Sequence, residues 1–403
     1  MNYLAPGVYI EEVPSATHSI EAVGTSTAAF VGEAPDDAAF TKTAEPVRDW
    51  TDFRNKFSNA TSKSTLLSHA IYGFFANGGG RCYVVNIGKD GSVEEGLRRL
   101  EAIDEVAIVA APGFADVGSY DALLTHCETL KDRFAILDAP LDVPRIDALK
   151  DVATVASKAK GKAKASDGES TDPAASSDGL RARTSDGGYG AYYFPWLIAR
   201  DPFDMKSSEQ VQVPPSGHLA GIYARTDATR GVHKAPANES VRGALGLTYR
   251  VTQKEQELLN PNGVNCIRFF TGEGIRVWGA RTVAASSSEW RYVNVRRLMN
   301  MIEESIAKNT KWAVFQPHDT SLRMNIRRNI ASFLTLLWRR GALVGGTPDE
   351  AFFVKCDDET NPPESVDAGQ VVVVIGVAPV KPAEFVIFQI GQGVAGPEVT
   401  AQT

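Results

Sequence analysis

The side chains best suited to hold a metal or run acid–base chemistry are six histidines (His18, His69, His126, His218, His233 and His318) and four cysteines (Cys82, Cys127, Cys266 and Cys356). The cysteines form no CxxC pair and the histidines lack ligand spacing, so neither a zinc site nor a disulfide framework is expected. Buried, reduced thiols are the plainer reading. The glycines offer no phosphate cradle. Gly78, Gly79 and Gly80 precede a strand pattern, the reverse of the order that puts phosphate on a helix N-terminus. Gly272, Gly274 and Gly279 miss the spacing of a dinucleotide fingerprint and read as turn residues. No GxxxxGK(S/T), GxSxG or HExxH run occurs. His318 and Asp319 would need a nucleophile that nothing singles out, and a histidine beside a helix cap explains them more simply. The expectation is therefore no catalytic residue, no cofactor and no metal. An α/β hydrolase stays open as an alternative, because catalytic groups can lie far apart in sequence.

Two other features ask for a partner. Between Thr320 and Pro348 stand five arginines (Arg323, Arg327, Arg328, Arg339 and Arg340) and no acid, in a chain of net charge −7. Arg323 and Arg327 are one turn apart and stack on one side of a helix, with Arg328 on a different face. This ridge suits docking onto an acidic partner; ordinary solvated surface, or salt bridges within the chain, would also account for it. Nucleic acid ranks last, since the molecule is acidic and the ridge has no interleaved aromatics. The run Lys158, Lys160, Lys162 and Lys164 is followed by Asp167, Glu169 and Asp172, and reads as a solvated loop. The second feature is a pair of terminal strands. Phe385, Val386, Ile387, Phe388 and Ile390 make a strand apolar on both faces, which must be central in its own sheet or added to another chain's sheet. Val8, Tyr9, Ile10 and Glu11, between Pro6 and Pro14, form a short extended arm that also needs an edge to join.

The 403 residues, 43% hydrophobic and 23% charged, suffice for two or three domains. Strand signals at 27–31, 82–87, 106–110 and 134–137 alternate with helix signals at 51–57, 65–75, 93–103 and 120–131. That rhythm implies βαβ units and a mostly parallel sheet. A helix is expected at 144–156. Residues 157–188 are Ser, Ala, Lys, Gly and Asp with one large apolar residue, Leu180, and read as a flexible surface insertion. Further helix and strand signals follow at 192–198, 243–259 and 264–278. Val295, Leu298, Met299, Ile302 and Ile306 form one helical stripe; Leu322, Ile326, Ile330, Phe333 and Leu337 form a second, with Asp319 as N-cap and Gly341 as its end. A β-branched strand is expected at 371–377. The start has no basic or strongly apolar leader, and no run approaches the length of a membrane span. Cytoplasmic synthesis and assembly are expected, with no membrane insertion.

At this point three segments in order resemble one family. The opening 6–14 (PGVYIEEVP) with 24–32 (GTSTAAFVG), the stretch 216–238 (SGHLAGIYARTDATRGVHKAPAN), and the run 290–345 with the closing strands are similar to contractile tail sheath proteins. The resemblance covers most of the chain outside 157–188. It implies a structural subunit and not an enzyme. The implied fold is α/β: an outer subtilisin-like, non-proteolytic domain within 21–270, and an inner α+β domain at 271–378. Extended arms at 1–20 and 379–403 would add strands to neighbouring subunits. It further implies a helical homo-oligomer of six-fold rings around an inner tube protein, with baseplate and terminal cap partners. Arg323, Arg327 and Arg328 would be the tube contacts. Contraction would draw on energy stored at assembly. An extracellular-type or cytoplasmic injection system is preferred over a phage virion.

Overall fold

The computed structural model describes residues 19–154, 179–204 and 209–385. Short runs rich in small, β-branched and aromatic residues become strands buried on both faces over most of their length. These are β1 (Ala28–Gly32), β3 (Cys82–Asn86), β4 (Ile108–Ala110), β5 (Phe134–Asp138), β6 (Gly190–Phe194) and β11 (Val264–Phe270), after the short antiparallel β2 (Ala44–Val47). They pair in the order β3-β1-β4-β5-β6-β11, all parallel, within a nine-stranded sheet edged by β2 on one side. The antiparallel β12 (Gly274–Val277) and β9 (Glu239–Ser240) close the other side.

Alternate side chains of β1 serve opposite faces, as the pleat requires. Ala28 and Phe30 join a core with helices α2 (Leu66–Ala76) and α5 (Ser216–Arg230). Ala29 and Val31 join a core with α3 (Val93–Arg98) and α4 (Val117–Leu130). Side-chain caps fix the helix starts: Thr65 for α2, Ser92 for α3 and Asp116 for α4. Helices α2 and α5 lie unusually close because glycines face the contact. A Cβ on Gly217 would meet the Ala70 carbonyl oxygen at 2.2 Å, and one on Gly73 would meet His218 Nδ1 at 2.3 Å.

A third core belongs to the C-terminal part. It is built by α7 (Val293–Asn309), α8 (Thr320–Arg339) and the antiparallel pair β13 (Phe352–Lys355) and β14 (Val374–Val377). Asp319 caps α8 as its position predicts, accepting from the Leu322 N–H at 2.7 Å. Gly341 ends the helix at φ 77°, a conformation glycine adopts without strain.

Four expectations need correction. Of the helix expected at 144–156, the described residues 144–154 form no α-helix. A 3₁₀ turn spans Ile146–Lys150, and Val152 then bridges Arg181. Residues 179–188 are packed rather than loop-like; the rest of the expected insertion, 157–178, lies outside the described residues. Their polarity is satisfied at long range: Arg181 donates to the Asn262 carbonyl at 2.7 Å, and Arg183 pairs with Glu128 and Asp121. The α/β unit does not stop at 270, because β12 belongs to its sheet and the Val283 N–H donates to the Gly190 carbonyl. Finally, only Val374–Val377 of 371–377 is strand; Val371 and Val373 pack on the third core, and the Val372 main chain bonds Asn361.

Three histidines are buried within the α/β unit. Burial lowers His218 to about 4, helped by His69. Burial, with Arg133 close by, lowers His126 to about 4. Burial also lowers His69, against an opposing pull from Asp201. Such groups stabilise the fold fully above the unfolded pKa near 6.5, and that stability is lost as pH falls toward 4. Asp138, raised to about 6 by burial, works in the opposite direction but is one group against two comparable shifts. Each of those two imidazole shifts corresponds to about 3 kcal/mol. We expect the melting temperature to fall steeply between pH 6.5 and 4, and His218→Asn to make that slope shallower. An unchanged slope would remove His218 as a source.

Candidate functional site

Polar side chains inside the α/β unit are arranged for structure. Asp138, at the end of β5, accepts from Ser216 Oγ at 2.6 Å, the Ser216 N–H at 2.8 Å and the Gly113 N–H at 3.1 Å. Ser216 is fully buried, and its hydroxyl fastens the start of α5 to the strand end. His69 and His218 line a cavity of about 180 Å³ with Tyr72, Arg200, Val213 and Leu245. Among the described residues no three His, Cys, Asp or Glu side chains gather as metal ligands.

A deeply buried charge pair bolts the α/β unit to the C-terminal unit. Arg297 on α7 donates to Asp227 on α5 at 2.6 and 3.0 Å, with side chains only 3% and 5% exposed. The same guanidinium donates to the Thr25 carbonyl at 2.9 Å, and the Thr25 hydroxyl donates to Asp227 at 2.6 Å. It also lies over the Tyr223 ring, whose hydroxyl bonds Tyr193 at 2.7 Å. The stretch 216–238 therefore carries the strand anchor, the close-packing Gly217 and half of the bolt. The entering chain joins the same place. Ile20 is buried in the third core, the Val23 N–H donates to Ser305 at 3.0 Å, and Asn309 donates to the Glu21 carbonyl at 3.0 Å.

Helix α8 turns Leu322, Ile326, Ile330, Phe333 and Leu337 inward, as their spacing predicts. Its arginines are not equivalent. Arg323 is 11% exposed and donates to Asp358, itself 93% exposed, at 2.8 Å. Arg327 is exposed on a flank. Arg328 is exposed near the centre of the outward face, where it donates to Asn325 at 2.8 Å. Arg339 lies about three turns on, within about 20° of Arg328 around the helix axis. Ser321, Met324 and Ser332 complete this exposed stripe. The outward face is thus centred on Arg328 and Arg339 rather than on Arg323. The sequence held this signal in the 328–339 spacing. Beside α8, Val314 and a fully exposed Phe315, at φ 67°, form an apolar tip.

The β13–β14 pair is a two-stranded sheet, and among the described residues neither outer edge is covered by a further strand. Phe353 and Val374 are exposed on it. Such edges are templates for strand addition. Of the expected arm residues, Phe385 is placed and is 71% exposed. Val8, Tyr9, Ile10, Glu11, Val386, Ile387, Phe388 and Ile390 lie outside the described residues.

Comparison with known proteins converges on one family. The phage tail sheath protein central domain profile matches residues 105–283, and the phage tail sheath C-terminal domain profile matches 285–392. The tail sheath protein of Salmonella phage ViI is 26% identical over 284 residues, 69% of this chain and 42% of that protein. The chain spans less than half the length of the curated relatives it matches first. A chain from the contracted PVC sheath complex, an extracellular contractile injection system, is 30% identical with TM-score 0.78. That match covers 98% of this chain and 99% of the other. A chain from the six-fold symmetrised baseplate of the anti-feeding prophage is 29% identical with TM-score 0.74, covering 98% of this chain and 100% of the other.

Removing one partner of the Arg297–Asp227 pair leaves a buried charge unpaired, at a cost of about 3–5 kcal/mol. Asp227→Asn should therefore lower unfolding free energy by about that amount in denaturant titration. A loss below about 1 kcal/mol would show that the joint does not depend on the pair.

Proposed function

The chain belongs to the phage tail sheath family, and from that premise we propose that it polymerises as stacked six-fold rings around an inner tube and contracts to drive that tube through a target envelope. The observation that carries this reading is the two-stranded β13–β14 sheet, which no further strand flanks among the described residues. Added strands from neighbouring subunits would satisfy its edges. Links of that kind pivot without breaking, so subunits stay tied while they pass between an extended and a contracted packing.

The arginine stripe of α8 supplies the grip. Arg328 and Arg339 face outward without a carboxylate partner among the described residues, in a chain of net charge −7. An acidic tube surface is the complementary partner. Contraction would give up these tube contacts while subunits gain contacts with one another, a switch between two packings of one sequence. No nucleotide is needed, because the energy is stored when the extended form assembles. Baseplate and terminal cap proteins would nucleate and end the polymer. The role is structural rather than enzymatic. The likeness to the PVC and anti-feeding prophage chains supports an extracellular-type injection system assembled in the cytoplasm and not a phage virion.

Two experiments test this reading. Negative-stain microscopy of the purified chain across concentration should show hollow tubes of uniform width. Deleting 1–14 or 384–403 should abolish them while the subunit stays folded, and normal tubes from either deletion would sink strand exchange. The double change Arg328→Glu and Arg339→Glu should weaken co-assembly with the tube more than Arg323→Glu with Arg327→Glu, at an unchanged melting temperature. Unaltered co-assembly would take the outward stripe out of the mechanism.

A further inference from the structure

The C-terminal segment is held unevenly. The Val380 N–H donates to the Ala342 carbonyl at 3.2 Å, and the Val380 carbonyl accepts from Asn294 at 3.0 Å. Beyond it, no main-chain hydrogen bond fixes residues 381–385 among the described residues. Pro382 has no N–H to offer. Among the described residues, the hydrogen bonds that hold this segment come from one side chain. The Glu384 carboxylate accepts from Arg281 Nε at 2.8 Å, Arg281 Nη2 at 2.7 Å, Asn260 Nδ2 at 2.8 Å and the Tyr292 hydroxyl at 3.3 Å. Fork-to-fork pairing of this kind fixes orientation as well as distance. The cradle is built in advance. Asn265 accepts from the Arg281 N–H and donates to the Arg281 carbonyl, both at 2.7 Å, and Arg281 also donates to the Asn260 carbonyl at 3.2 Å. Burial pushes the Glu384 carboxyl up, but the donors outweigh it and hold it below the ordinary range. The next residue, Phe385, is exposed.

We infer that Arg281, Asn260 and Tyr292 form a catch for the Glu384 carboxylate, making 381–385 a strap with a docked and a released position. The cradle belongs to the rim of the α/β unit while the strap leaves the C-terminal unit, so the catch sets where the chain beyond 385 departs. Releasing five residues would lengthen the departing chain by up to about 17 Å. That consequence rests on the sheath reading, in which the segment links to a neighbour and must accommodate a change of packing; the catch itself does not.

The test uses the full-length, unassembled subunit. Phe385→Cys carries a nitroxide label, the four native cysteines being buried. The spectrum should contain an immobilised component with Glu384 present. Glu384→Gln should reduce that component, Glu384→Ala should abolish it, and Arg281→Gln should do the same, all with the melting transition retained. An immobilised component that survives Glu384→Ala, or one absent already with Glu384 intact, would overturn the catch. Absence of tubes from the unsubstituted chain would count against the sheath reading instead, and leave the label result standing.

Discussion

The whole arrangement turns on a charge pair that water does not reach. Arg297 and Asp227 are both nearly fully buried, so neither can be left alone without a large desolvation cost. Thr25 supplies a carbonyl to the arginine and a hydroxyl to the aspartate, and Tyr223 supplies a ring face. Three distant pieces of chain therefore meet at one guanidinium: the entering segment, α5 and α7. Because α5 is itself fastened to the central sheet through Ser216 and Asp138, orientation passes from the sheet to α7 and on to α8. A surface salt bridge would permit the C-terminal unit to rock. A buried pair joined by two parallel hydrogen bonds, with Thr25 bonded to both partners, holds it in register.

The two units differ in how far they satisfy themselves. The parallel strands are covered on both faces by helices and paired on both sides within the sheet. Among the described residues the C-terminal unit instead has a two-stranded sheet flanked by no further strand, an apolar tip at Phe315 and a helix face whose Arg328 and Arg339 pair with no carboxylate. Stability is concentrated in the first and unmet bonding capacity in the second. That division suits a subunit whose interior keeps its fold while its periphery changes partners.

Much of this was legible because it is local. The β1 and β5 runs carry their burial in their composition, and α8 carries its inward stripe, its Asp319 cap and its Gly341 stop in the spacing of adjacent turns. What escaped depends on partners distant along the chain. Residues 179–188 read as a loop because composition records polarity but not that Glu128, Asp121 and Asn262 wait to satisfy it. For Arg323 an ion pair within the chain stayed one of several readings, because nothing near it in sequence reveals Asp358. Glu384 stands just before the apolar run that begins at Phe385, and its cradle comes from Asn260, Arg281 and Tyr292, far upstream. The outward ranking of Arg328 and Arg339 was available from helical geometry, but only once the inward stripe set the zero of rotation.

The glycine at 73 has a consequence for how such chains diversify. His218 Nδ1 occupies the space where any larger residue at 73 would place its first carbon. The two positions sit on different helices, yet neither is free to vary alone: a side chain at 73 is tolerated only after 218 has shrunk, and a shrunken 218 leaves a void until 73 has grown. Substitution history at this contact should consequently run through paired exchanges, with few viable single-step intermediates. The α2–α5 crossing would then change far more slowly than the helices that make it.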